Sequence, residues 1–120
     1  MSIVDPAPRR VLILDDDAMV GMLIETVARL DGVATRLTAM PDDFFAALDS
    51  WQPTHIVLDL TMPALSGEAV LQALAQRGCA ACLVISSGAD VQRLQHAAAQ
   101  ARAQGLMVAG TLSKPFVPAA

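Results

Sequence analysis

The run Val11-Leu12-Ile13-Leu14 is short and unbroken, and it stops at Asp15-Asp16-Asp17. A strand buried on both faces reads this way, because neither of its sides is given over to polar residues. From Ala18 to Leu30 the apolar residues Met19, Met22, Leu23, Val27 and Leu30 recur at helical spacing, which predicts an amphipathic helix stopped by Gly32. Residues from Val33 to Thr38 alternate between apolar and polar and predict a second strand. Phe44, Phe45 and Leu48 then mark a short helix from Asp42 to Ser50, after Pro41. The cycle repeats with a third strand, His55-Ile56-Val57-Leu58, between Pro53 and Asp59. A loop from Thr61 to Gly67 is interrupted by Pro63, and a helix from Glu68 to Arg77 carries Val70, Leu71 and Leu74 before Gly78. Cys82-Leu83-Val84-Ile85 reads as a fourth strand ending at Ser86-Ser87-Gly88, Asp90 to Gln104 as a helix closed by Gly105, and Leu106 to Leu112 as a fifth strand.

Short apolar strands alternating with helices imply right-handed crossovers and a mostly parallel sheet covered on both faces. The expected class is α/β, a doubly wound five-stranded parallel sheet with four helices. No fifth helix is expected, since only four residues follow Phe116. One domain over residues 1–120, with its core at about 9–117, suits a chain of 120 residues with 54% hydrophobic and 17% charged positions. Alanine supplies 22 of the apolar positions and only Trp51, Phe44, Phe45 and Phe116 are aromatic, which favours closely packed helices on a sheet over a sandwich. The net charge of −4 and the single lysine, Lys114, argue against direct nucleic-acid binding, which relies on clustered Lys and Arg. No segment offers the ~18 apolar residues of a membrane span, and the first residues lack the apolar run of a secretory signal. With Cys79 and Cys82 the only cysteines, the reading is a cytoplasmic protein without a disulfide scaffold.

In an open parallel sheet, ligands bind beyond the carboxyl ends of the strands. There this sequence collects Asp15 and Asp16 after strand one, Asp59 after strand three, Ser86 and Ser87 after strand four, and Thr111, Ser113 and Lys114 around the end of strand five. Carboxylates at close range repel one another unless a cation compensates them. Mg²⁺ suits such a set, because it takes one or two carboxylates and is commonly completed by phosphate oxygens, while a lysine neutralises another phosphate oxygen. The edge therefore fits phosphoryl transfer, with an aspartate as a candidate nucleophile.

Asp15-Asp16, Asp59 followed by Thr61-Met62-Pro63 and Gly67, Ser87-Gly88, and Lys114-Pro115-Phe116 together resemble the receiver domain of a two-component response regulator, over roughly residues 9 to 117. The resemblance implies a flavodoxin-like or CheY-like strand order, 2-1-3-4-5. It further implies that Asp59 accepts a phosphoryl group from a histidine kinase or phosphotransfer protein. Asp15, Asp16, Asp59 and the Thr61 carbonyl would hold Mg²⁺, Lys114 would pair with a phosphoryl oxygen, and Ser87 would bond the phosphoryl group and report it. Such a domain is a phosphoacceptor switch that catalyses only its own phosphorylation and autodephosphorylation, and it acts on an output domain or protein. Two departures stand out: Thr111 takes the place of a common aromatic switch residue, and the terminal helix is missing. The second motivates a homodimer through apolar surface beside the first helix.

Plainer readings stand beside these. Asp17 is a helix N-cap, and Asp15 or Asp16 alone would read the same way. Cys79 and Cys82 have the spacing of half a metal site with no second pair, so Cys82 reads as a buried strand residue and Cys79 as a loop residue. Met19, Met22, Met62 and Met107 read as fillers of core and loop gaps. Neither His55 nor His96 has partners for triad chemistry. An aspartyl-nucleophile phosphatase would want an acid two residues beyond Asp59, where Thr61 stands. The alternatives that survive are a phosphate-independent pseudo-receiver or dimerisation module, and a receiver fragment of a cyclic-di-GMP phosphodiesterase regulator, to which residues 105–112 bear some similarity.

Overall fold

The computed structural model describes residues 9–62, 65–88 and 90–114. Five strands alternate with four helices: β1 (Arg10–Leu14), α1 (Ala18–Leu30), β2 (Ala34–Thr38), α2 (Pro41–Trp51), β3 (His55–Asp59), α3 (Gly67–Gln76), β4 (Cys82–Ser87), α4 (Val91–Ala103) and β5 (Met107–Ser113). All neighbouring strands are parallel, in the order β2-β1-β3-β4-β5. The alternation read from the sequence is therefore present, and the differences lie at element ends. β3 runs on to include Asp59, and β4 to include Ser87, because each continues the ladder: Asp59 pairs with Ser86 and Ser87 with Ser113. The polar character of these residues suggested strand ends, but their backbones still find partners. Among the described helices none is long and apolar enough to cross a membrane.

Local chemistry explains the helix boundaries. The Asp17 carboxylate accepts from the N–H groups of Met19 and Val20, Ser66 Oγ accepts from Ala69 N, and Asp90 accepts from the N–H groups of Gln92 and Arg93. Each side chain satisfies helix donors that have no partner within the helix. α2 instead starts with Pro41, whose missing N–H is no loss in a first turn. Gly78 and Gly105 lie just beyond α3 and α4 with φ of 66° and 92°, where a Cβ would be strained.

Helices α2, α3 and α4 cover one face of the sheet. Leu12, Leu14, Ile56, Leu58, Leu83 and Ile85 from the strands meet Phe44, Val70, Leu74 and Leu94 there, and all are buried. The small residues Ala97, Ala98 and Ala101 let α4 lie close to the sheet, as its alanine-rich sequence suggested. The other face carries α1, beside which a groove of 480 Å³ opens over Val11, Val57, Val84 and Leu112.

Three sequence expectations need correction here. Met19 and Met22 do not fill core gaps: they are 80% and 59% exposed, because the rim of α1 that bears them meets no other described element. Met107 is likewise exposed, at the start of edge strand β5. Cys82 is only partly buried, since the first residue of β4 sits at the sheet's end, while Cys79 is a partly buried loop residue packed on the core. Met62 does pack against the core. Pro63, Pro115 and Phe116 lie outside the described residues.

Candidate functional site

The register of the sheet assembles the site. β1 and β3 run side by side, so Asp15, one residue past Leu14, arrives next to Asp59 at the end of β3. On the other side, the β4–β5 register jumps between Leu83 and Val84, from Leu83 opposite Val108 to Val84 opposite Gly110. After that irregularity Ser87 faces Ser113, and the next residue, Lys114, donates its backbone N–H to the Ser87 carbonyl at 2.9 Å. Lys114 is thereby delivered to the same edge as the two aspartates.

There the side chains converge. Lys114 Nζ lies 2.9 Å from Asp15 Oδ2 and 3.3 Å from Asp59 Oδ2. Both carboxyl groups are buried, at 2% exposure each, whereas Asp16 is exposed at the rim. The remaining oxygens are held locally: Asp15 Oδ1 accepts from Asp17 N at 2.9 Å, and Asp59 Oδ1 accepts from Thr61 N at 3.0 Å. Carboxylate oxygens of Asp15, Asp16 and Asp59 lie within 4.8 Å of one another.

Three carboxylates face one ammonium, and the electrostatics follow from that imbalance. Burial pushes the Asp59 carboxyl above its ordinary pKa and the Asp15 charge adds to the rise, while the Thr61 N–H and Lys114 offset part of it. Burial alone would lower the Lys114 ammonium, but its contacts with Asp15 and the charges of Asp15 and Asp59 outweigh burial and raise it. The lysine is a fixed positive charge, yet it leaves a surplus of negative charge at this edge. A small hard cation fits this donor set of carboxylates, in which Lys114 is the partner of the buried Asp15 Oδ2.

The hydroxyl groups divide by role. Ser86 Oγ donates to the Leu58 carbonyl at 3.3 Å, a bond inside the sheet. Ser87 is buried at the β4 end, beside Lys114. Thr111 is partly buried in β5 opposite Ile85, below the site edge rather than on it. Thr61 is exposed and sits directly after the site through its N–H bond to Asp59.

Sequence reading missed two residues that border the site. Arg93 of α4 grips Glu68 of α3 through Nε at 2.6 Å and Nη2 at 2.7 Å, and Nη2 also reaches the Leu60 carbonyl at 3.1 Å. Glu68 is held below the usual carboxylate range by that arginine, and Arg93 is raised above its usual value by Glu68. Neither residue follows a strand, so the rule that found the others passes over them. Gly67 is better marked by sequence. A Cβ there would lie 2.5 Å from Leu60 Cα and 2.9 Å from the Asp59 carbonyl, so only glycine lets α3 start this close to the site.

Comparison with known proteins agrees with this geometry. The sequence pattern of the response regulator receiver domain family matches residues 11–120. Among solved structures, a response regulator from Colwellia psychrerythraea is similar at 32% identity and a TM-score of 0.78, over 92% of this chain and 87% of that one. The signal receiver domain of a response regulator from Bermanella marisrubri is similar at 29% identity and a TM-score of 0.76, over 92% of this chain and 88% of that one. A CheY-like receiver domain protein from Methanospirillum hungatei shares the fold at 16% identity, with a TM-score of 0.79 over 93% of this chain and 86% of that one. The search of curated proteins finds no match.

Proposed function

This chain belongs to the response regulator receiver domain family, and from that premise we propose that Asp59 is its phosphoacceptor, taking a phosphoryl group from the phosphohistidine of a kinase or phosphotransfer protein. Receiver domains are phosphoacceptor switches in two-component signalling, which implies such a donor and an output domain or protein. The observation that carries the assignment is Asp59 itself: a buried carboxylate at the end of the central strand, with Lys114 at 3.3 Å and the Thr61 N–H at 3.0 Å.

The chemistry assigned to these residues is a displacement at phosphorus. An Asp59 carboxylate oxygen forms a bond to phosphorus as the phosphorus–nitrogen bond of the donor breaks. The imidazole leaves with the electron pair and is protonated. A carboxylate whose pKa burial has raised is a stronger base and nucleophile than a free one. Lys114, kept charged by its two carboxylate neighbours, offsets the negative charge on a phosphoryl oxygen. The Ser87 hydroxyl would donate to another. Asp15, Asp16, Asp59 and the Thr61 carbonyl would hold Mg²⁺, which supplies positive charge against both the carboxylates and the transferring group. Autodephosphorylation would return the switch to its resting form. A cytoplasmic setting, where such donors occur, fits two free thiols.

The test is intact-mass spectrometry after incubation with acetyl phosphate and Mg²⁺. A hydroxylamine-labile gain of one phosphoryl group is expected, absent from Asp59→Ala and from samples with chelator. A gain that persists in Asp59→Ala, or no gain with any small phosphodonor, overturns the assignment.

A further inference from the structure

Leu60, the residue directly after Asp59, is tied to three elements at once. Its N–H donates to the Ser86 carbonyl of β4 at 2.8 Å, and its own carbonyl accepts from Gly67 N of α3 at 3.0 Å and from Arg93 Nη2 of α4 at 3.1 Å. Arg93 Nη1 reaches the Thr61 hydroxyl at 3.5 Å, while Nε and Nη2 hold both oxygens of Glu68 in a fork. Among the described residues, Arg93 makes every side-chain hydrogen bond that joins α4 to the loop following Asp59.

Such a pair contributes little to stability, because the Arg93 and Glu68 side chains are 35% and 37% exposed and water screens them. Its position matters more. The guanidinium bonds the two residues that directly follow Asp59, and it feels the Asp59 charge. A phosphoryl group on Asp59 would add up to two negative charges and three acceptor oxygens there. A half-exposed single carboxylate is a weaker partner for an arginine fork than a phosphoryl dianion.

We propose that Arg93 is a positioning residue that exchanges Glu68 for the phosphorylated Asp59, so that phosphorylation releases α4 from α3. The exchange rests on Asp59 being the phosphoacceptor, and it acts beside any route through Ser87. The resting state is the clamp seen here: the α3 start, the α4 start and the Leu60 carbonyl held by one side chain. The phosphorylated state trades two bonds to Glu68 for bonds to the phosphoryl oxygens, and the first turns of α3 and α4 lose their link. Because coupling is reciprocal, weakening the resting clamp favours phosphorylation.

The full chain labelled with ¹⁵N tests this by NMR, with the loaded fraction measured separately by intact mass under acetyl phosphate and Mg²⁺. On loading, the Arg93 Nε–H resonance and the amides of residues 91–94 are expected to shift together. Glu68→Gln is expected to move the same amides part way toward the loaded positions without any phosphodonor. It should also raise the ratio of phosphorylated to unphosphorylated protein about fivefold. Arg93→Gln, and Arg93→Lys, which keeps the charge but not the fork, should lose most of the loading-dependent shift in α4. A loaded wild-type chain whose Arg93 Nε–H stays put overturns the exchange and leaves the phosphoacceptor assignment standing. So does an α4 response in Arg93→Gln equal to that of the wild type, or a Glu68→Gln chain with unmoved amides. Failure of the wild type to load at all overturns both.

Discussion

The two faces of the sheet end in different states. Under α2, α3 and α4 the strand residues Leu12, Leu14, Ile56, Leu58, Leu83 and Ile85 are fully buried. Under α1, on the other face, Val11 and Val84 are only partly covered and a groove remains over Val57 and Leu112. The crowded face takes Leu and Ile at these positions, whereas the other takes smaller or more polar residues such as Val11, His55, Val57, Cys82 and Val84. The described helices are also unequally shared, with α2, α3 and α4 on one face and α1 on the other. The site inherits the difference: the loop after Asp59 is anchored to the crowded face through Gly67 and Arg93, and no described helix covers the groove on the other.

The largest test of this contrast is a pair of truncations. Leu58→Ala in the crowded face is expected to lower the unfolding free energy by about 3 kcal/mol, because it leaves a cavity among atoms that cannot close over it. Val84→Ala beside the groove should lose about 1 kcal/mol or less, since part of that side chain already meets water. Urea denaturation of both variants measures the gap, and equal losses would show that the groove is closed in solution.

Gly67→Ala should follow, with a loss of about 2 kcal/mol, since the added Cβ would strike backbone atoms of Leu60 and Asp59 as well as the Leu60 side chain, and the backbone cannot turn aside. The same denaturation series checks it. Because the affected backbone is the site loop, the variant should also load more slowly with acetyl phosphate.

The smallest expected effect has the opposite sign. Asp59 holds its proton more tightly in the folded chain than in the unfolded one, so ionising it opposes folding. That penalty is absent below the ordinary carboxylate value of 3.8 and is fully present once pH has risen through the raised folded value. Asp59→Asn should therefore stabilise the metal-free chain at pH 7 by about 1 kcal/mol, a usual size for relieving a strained functional site. The gain should vanish as the solution is acidified below pH ~4, and Mg²⁺ should stabilise the variant less than the wild type. Melting curves at several pH values decide it. A variant less stable than wild type at pH 7 would mean that the pairing with Lys114 outweighs the burial of the charge.

Much of the site could be read from the chain because strand ends are local signals. Asp15, Asp59, Ser87 and Lys114 each terminate or directly follow a strand, and in a parallel sheet all such ends share one edge. Arg93 and Glu68 could not be read in this way. They sit within the first turns of helices, where an exposed charge is ordinary, and they are 25 residues apart. Only the closeness of the α3 and α4 starts makes them a pair. Met19 and Met22 misled for a related reason: helical spacing shows which residues share a stripe, but not whether another element covers it.

What the sequence alone determined was the alternation of strand and helix, the fold class, and the gathering of carboxylates and the single lysine at one edge. These depend on backbone periodicity and on short-range punctuation by Asp, Ser, Gly and Pro, which act within a few residues. What the tertiary structure decided was which face would be dry, which methionines would meet water, where the β4–β5 register would jump to deliver Lys114, and that Arg93 would bridge two helices to the carbonyl after Asp59. Those outcomes depend on distances between segments far apart in the chain. Only packing sets such distances, because the attraction that buries apolar surface has no direction of its own.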